Sequence, residues 1–201
     1  MRIIIARHGE TESNSLGIIQ GQLPGKLTEK GIEQAKKIGK FLEKERIDVI
    51  LTSGLARAYD TAKFISEYVK APLKVENNLK ERNFGVFQGK DREKFFSWER
   101  SLKEPWKNKP EKGESFEELY NREKKVINII FNKYNGKNVL VVTHGDVSRM
   151  LIGILEGKNV IGSCRIKQAN ACINIFDDGK FKVLNSTEHL KDLKSTNRTE
   201  I

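Results

Sequence analysis

Short runs of consecutive apolar residues alternate along this chain with longer stretches in which apolar residues recur every third or fourth position. The first run, in RIIIA, is too brief for a helix and rich in β-branched residues, which predicts a buried strand over 2–6. Thr28 then reads as an N-cap ahead of Ile32, Ala35, Ile38, Phe41 and Leu42, spaced as one face of a helix. IDVILTS (47–53) predicts a second buried strand, and Ala58, Ala62, Ile65, Tyr68 and Val69 mark a helix over about 55–69. PLKVE (72–76) predicts a short third strand.

After Lys90 the pattern changes. A short helix near 91–103 gives way to an irregular, Pro-containing loop. Ser115 and Glu118 form a capping-box pair opening a helix that runs to about Tyr134. NVLVVTH (138–144) predicts another buried strand, GDVSRMLIGILEG the helix behind it, and the runs flanking DDGK within 171–185 a hairpin. Strands alternating with helices imply a largely parallel sheet covered on both faces, with the site beyond the carboxyl ends of its strands. Residues 1–190 are expected to form one domain, with 90–113 as a substrate-side insertion and 191–201 as a frayed tail.

Composition narrows the class. With 37% hydrophobic and 32% charged residues among 201, the chain suits a globular protein with a heavily charged surface, and no apolar stretch is long enough to span a membrane. MRIIIA is too short for a signal-peptide core, so the expected compartment is the cytoplasm. The net charge of +10 raises nucleic acid as a partner, but the lysines alternate with glutamates as on solvated helix faces, so no dedicated nucleic-acid binding is expected. A positive surplus equally suits a protein whose ligands are small anions. Cys164 and Cys172 read as plain core or strand residues, and His8, His144 and His189 lack metal-ligand spacing. No metal and no cofactor are expected.

The chemistry gathers where two strands end alike. IIIARHGE and VLVVTHGD each finish in His-Gly followed by an acid, and parallel strands would bring His8 and His144 to one sheet edge. Arg57, at the start of the helix after VILTSGLARA, belongs on that edge together with Arg7. Two guanidinium forks and a histidine fit a phosphoryl group, and Gly9 and Gly145 are expected to let backbone approach a ligand. A neutral His8, its pKa lowered by surrounding positive charge, could accept that group as a nucleophile, and a carboxyl group would then protonate the leaving oxygen.

The ordered series ARHGET, LTSGLARAYDTA, LKERNFGVFQG, GES and VVTHGD, from Ile3 to about Asp146, resembles the histidine phosphatase superfamily, the phosphoglycerate mutase-like proteins. The resemblance implies a three-layer α/β/α sandwich with a mostly parallel central sheet. It implies that His8 is phosphorylated and that Arg7, Arg57 and His144 form the phosphate pocket. Glu81 would be general acid and then base, with Asn14, Gln20, Gly21 and Gly145 as substrate contacts. Glu10, Glu12, Glu118 and Asp146 read as loop or helix-start charges, Ser53 and Ser115 as loop or cap residues without a histidine partner, and His189 as structural.

Two departures favour a phosphatase over a mutase. Phe84 stands in ERNFG where mutases of this type carry tyrosine, and the 90–112 segment is short and lacks adjacent arginines. Arg92, Lys103, Lys107 and Lys109 are its candidate grips for an anionic substrate. The expected activity is metal-independent hydrolysis of a small phosphorylated metabolite. Phosphoglycerate mutase is the alternative, and a non-catalytic phosphate-binding module fits less well, having no need of Glu81. Oligomeric state stays open, a homodimer among the options.

Overall fold

A computed structural model describes residues 1–193; of the tail expected over 191–201, residues 194–201 lie outside the described residues. The strands are β1 (Arg2–Arg7), β2 (Val49–Thr52), β3 (Leu73–Val75), β4 (Val139–Thr143), β5 (Ile173–Asp177) and β6 (Lys180–Ser186). The helices are α1 (Glu12–Ser15), α2 (Glu29–Leu42), α3 (Ala56–Ser66), α4 (Arg92–Arg100), α5 (Phe116–Lys133), α6 (Gly145–Leu155) and α7 (Val160–Cys164). One six-stranded sheet runs in the order β3-β2-β4-β1-β5-β6. Its first four strands are parallel, and β5 enters antiparallel beside β1 with β6 antiparallel to it.

Side chains of successive strand residues point to opposite faces, so each parallel strand feeds two cores. Ile3, Ile5, Val49, Leu51, Val139 and Val141 pack with Leu119, Val126 and Ile130 of α5 and with Val147, Met150 and Leu151 of α6. Ile4, Ala6, Ile50, Leu140 and Val142 pack with Ile38 and Leu42 of α2 and with Ala62 and Ile65 of α3. Each fully buried aliphatic side chain contributes about 1.5–3 kcal/mol. Strands buried on both faces have to read as unbroken apolar runs, which is why β1, β2 and β4 stood out in the sequence. The result is the expected three-layer α/β/α sandwich.

Side chains cap α2 and α5, whereas α3 and α6 start without a side-chain cap. Thr28 accepts from the Gly31 amide and caps α2, and Ser115 and Glu118 cap α5 reciprocally. Asp178 and Gly179 make the β5–β6 turn with φ of 50° and 74°, the twist a two-residue hairpin needs. His189 bonds the Ala171 carbonyl at 3.0 Å and folds the chain end back, as its structural reading expected.

Sheet register places the site. Arg7 pairs with Thr143 across β1 and β4, and the His8 amide donates to the Thr143 carbonyl at 2.9 Å, so His8 and His144 leave the sheet side by side. Thr52 pairs with Val142, which brings Ser53 to the other flank of His144. Among the described residues no helix is long and apolar enough to cross a membrane.

Candidate active site

His8 is 3% exposed and its ring is oriented by the backbone that follows it. Nδ1 lies 2.7 Å from the Gly9 carbonyl oxygen, which can only accept, so the proton is assigned to Nδ1 and Nε2 keeps its lone pair. Burial pushes the pKa of His8 well below the usual imidazole range. The Arg57 and Arg7 charges push it further down, against the smaller opposing effect of the Gly9 bond. His8 is therefore neutral at neutral pH, and it lines a cavity of about 180 Å³.

Arg57 Nε donates to His8 Nε2 at 3.2 Å, placing a guanidinium at the nucleophilic atom. Its other nitrogens donate to the carbonyls of Gly21 at 2.6 Å and Leu23 at 3.3 Å, tying the 20–25 loop to the site. Burial lowers the Arg57 pKa to about 10, so it still carries its charge at neutral pH. Arg7 donates to the Gln168 carbonyl at 2.6 Å. Arg7 Nε, Gln20 Nε2 and His144 Nδ1 are buried without a hydrogen-bond partner among the described residues. Buried donors left unpaired cost about 1–3 kcal/mol each, and their clustering around His8 suits a ligand rich in acceptor oxygens.

His144 stands against His8 with ring centroids 5.2 Å apart and does not line the cavity wall. Burial, then Arg57, His8 and Arg7, lowers its pKa well below the usual range. Its Nε2 lies 2.7 Å from Ser53 Oγ, which corrects the expectation that Ser53 has no histidine partner. With the Ser53 hydroxyl donating to Nε2, His144 carries its proton on Nδ1. Ser53→Ala should cost about tenfold in kcat/KM, the scale of one hydrogen bond, and lower the melting temperature by a few degrees, because His144 Nε2 and the Leu55 amide lose their partner. A change below twofold would show that Ser53 does not orient the ring.

Glu81 arrives on an irregular segment held from several sides. Arg122 donates to the Asn78 and Lys80 carbonyls, Thr143 Oγ1 to the Leu79 carbonyl at 2.9 Å, and Gln22 Nε2 to the Glu81 carbonyl at 2.8 Å. The carboxylate accepts from the Arg82 amide at 2.9 Å and from the Asp146 amide at 3.5 Å. Burial raises the Glu81 pKa above the usual carboxyl range and Asp146 raises it further, while the Arg82 amide, Arg57 and Arg7 pull the other way. A carboxyl held toward its protonated form, on the same cavity as a neutral imidazole, is the pairing that proton delivery to a leaving oxygen requires.

The cavity gathers Arg7, His8, Asn14, Gln20, Gly21, Arg57, Glu81 and Gly145, as the sequence expected. Asn14 also closes a capping box with Thr11 and accepts from Asn170 at 2.8 Å, and Gln20 accepts from Thr11 Oγ1 at 3.1 Å. Gly9 departs from expectation. A Cβ there would fall 2.3 Å from the Gly31 carbonyl oxygen, so the missing side chain admits the first turn of α2 rather than a ligand. At Gly145 a Cβ would meet Arg7 at 3.5 Å and Glu81 Oε2 at 3.7 Å, ordinary contact distances at the cavity edge.

Arg92, Lys103, Lys107 and Lys109 do not line the cavity. Arg92 lies beside Gly17, Lys107 pairs with Glu104 at 2.9 Å and Lys109 with Glu118 at 2.6 Å. The 90–113 segment instead supplies Phe95, Phe96 and Glu99, and Phe84 and Phe116 extend this aromatic wall. Beneath it the fully buried Arg82 guanidinium lies 3.8 Å from the Phe116 ring centre. Asp146 stands in the first turn of α6, as read from the sequence, and together with Arg149 and Gln168 it also lines the cavity. The i,i+3 spacing of Asp146 and Arg149 on α6 was the available signal for that pair. Among the described residues no group of three or more His, Cys, Asp or Glu side chains is arranged to hold a metal ion.

Comparisons with known proteins give the family. The family model of the histidine phosphatase superfamily (branch 1) matches residues 3–187. A metal-independent phosphoserine phosphatase of Arabidopsis thaliana is 37% identical over 186 residues, covering 86% of this chain and 74% of the relative. An adenosylcobalamin/alpha-ribazole phosphatase of Salmonella typhimurium is 32% identical, covering 92% and 96%. The crystal structure of the alpha-ribazole phosphatase from Shigella flexneri superposes with a TM-score of 0.81 at 27% identity, covering 92% and 96%. The chain belongs to the histidine phosphatase superfamily and is a phosphoric monoester hydrolase of that type.

Proposed function

We propose that the chain hydrolyses a small phosphomonoester in two steps, without a metal, through a phosphohistidine on Nε2 of His8. In the first step the Nε2 lone pair attacks phosphorus and the ester P–O bond breaks. The Glu81 proton passes to the departing oxygen, and the Gly9 carbonyl, bonded to Nδ1–H, stabilises the positive charge that develops on the ring. In the second step Glu81, now a carboxylate, takes a proton from water, whose oxygen bonds phosphorus as the P–N bond breaks. Phosphate leaves and His8 is neutral again. Arg7, Arg57 and His144 would hold the phosphoryl oxygens, with Asn14, Gln20 and Gly145 as further contacts. Gly21 would act through its carbonyl, which anchors Arg57.

One observation carries this reading: a neutral His8, its unprotonated Nε2 accepting from Arg57 and released from it for attack, lines one cavity with a buried Glu81 held toward its protonated form. The positive charge that a phosphoryl group demands comes from the two guanidinium groups. Hydrolysis is favoured over mutation because the wall beyond the phosphoryl position is aromatic, with the single guanidinium of Arg149 among the described lining residues there. Residues 1–190 would act as one catalytic domain, with 90–113 forming the substrate-side wall.

The test is phosphate release from a panel of phosphoserine, sugar phosphates, ribonucleoside phosphates and phosphoglycerates in excess chelator. At least one alkyl ester is expected to be hydrolysed at an undiminished rate. Strict dependence on an added divalent ion, or exchange between phosphoglycerates far faster than their hydrolysis, would overturn the proposal.

A further inference from the structure

Glu81 has to hold a proton in one half of the cycle and release it in the other, so the charges around it decide how fast each half runs. Arg7 at the end of β1 and Arg57 on α3 face it from the phosphate side. Arg122 and Glu123 of α5 lie beneath its segment and pair with each other at 2.8 Å. Arg82 follows it in the chain with its guanidinium turned into the aromatic cluster. His8 and His144 beside it are held neutral. From α6 come Asp146 and Arg149.

Asp146 is the second residue of α6. Its amide reaches Glu81 Oε2 at 3.5 Å, and its carboxylate, 11% exposed, lines the same cavity. One carboxylate oxygen is 3.2 Å from Arg149 Nη1 and the other 3.8 Å from Arg82 Nη1, so two cations hold it in place. Gly145, without a side chain, leaves nothing between the start of the helix and Glu81.

Backbone N–H groups at a helix start favour a carboxylate, and so do Arg7 and Arg57. These would together leave Glu81 ionised and useless as an acid. We propose that Asp146 is a positioning residue for the hydrolysis, the anion that keeps the proton on Glu81 against this pull. This rests on the phosphohistidine reading and adds to it why α6 carries an acid where a neutral residue would serve a phosphate pocket better. Arg149 tunes the effect by partly neutralising Asp146.

The test is the pH dependence of kcat/KM, which reports the phosphorylation half, for wild type, Asp146→Asn and Arg149→Met. Asparagine keeps the size and the backbone amide and removes only the charge. With an alkyl phosphate ester the alkaline limb should move down by about one pH unit in Asp146→Asn, a loss of about tenfold above the optimum and none on the acid side. Arg149→Met, which leaves the Asp146 charge less neutralised, should move the limb upward. With p-nitrophenyl phosphate, whose leaving group departs unprotonated, neither limb should move. Asp146→Glu, keeping the charge, should restore the wild-type limb.

A limb that stays in place in Asp146→Asn, a shift as large with p-nitrophenyl phosphate, or an effect confined to KM would overturn the proposal. If Asp146→Asn does not fold, Asp146→Ser, equally uncharged, replaces it, and an unmoved or raised limb there overturns the proposal. Acid-labile phosphate on wild-type His8 is measured in parallel. Its absence strikes the two-step reading, whereas its presence with an unmoved limb strikes Asp146 alone.

Discussion

His8→Ala should remove turnover by about 10⁴-fold or more with every substrate the protein accepts, because the described residues lining the cavity include no serine, threonine or cysteine to replace it. Ser53 is committed to His144, and burial pushes the Cys172 thiol up to about 11 and away from the thiolate form. Binding should survive better than catalysis. Arg7, Arg57 and His144 stay in place, so phosphate or vanadate should still bind within about tenfold of wild type. Stopped assays of phosphate release together with equilibrium binding check both halves. Residual activity within 100-fold of wild type would mean that His8 is not the group attacked.

Glu81→Gln should show an effect that depends on the leaving group. With an alkyl ester, whose alkoxide needs a proton as it departs, kcat/KM should fall by about 10²–10⁴-fold. With p-nitrophenyl phosphate the phosphorylation step should be close to normal. The second step should stall, because the water attacking phosphohistidine loses its base. A burst of nitrophenolate near one equivalent, followed by slow turnover, is the expected trace. Equal losses for the two esters without a burst would remove Glu81 from both proton transfers. Glutamine also replaces one acceptor at the Arg82 amide, so a thermal melt should accompany the kinetics.

The parts of this site that could be read from the sequence share a physical cause. β1 and β4 are buried on both faces, so each is an unbroken apolar run, and each ends in His-Gly. Once they are taken as parallel, His8 and His144 must emerge together, and the Arg7–Thr143 register delivers that. Arg57 followed from the same logic, at the start of the helix behind β2. Glu81 did not follow, since its segment has no apolar period, and only the ordered motifs of the family identified it.

What escaped depends on sheet order and side-chain direction. Ser53 meets His144 because β2 lies directly beside β4, an adjacency no spacing within the chain encodes. The 90–113 segment contributes the aromatic side of α4 to the cavity and directs its lysines outward, opposite to the reading from charge alone. α1 and α7 span 4 and 5 residues, too short to display a period. The DDGK hairpin was plain from its turn residues, but its antiparallel pairing with β1 was not. Gly9 looked like room for a ligand and serves as room for α2, a packing demand invisible until both segments are in place.

The central claim is a covalent one, that phosphorus passes through Nε2 of His8. Rapid acid-free quenching of Glu81→Gln with a ³²P-labelled monoester, followed by alkaline digestion and peptide mapping, tests it directly. The expected result is close to one equivalent of alkali-stable, acid-labile phosphate on the peptide containing His8, substituted at Nε2. Label absent from that peptide while phosphate is being released, or located on a serine or an aspartate, would contradict it.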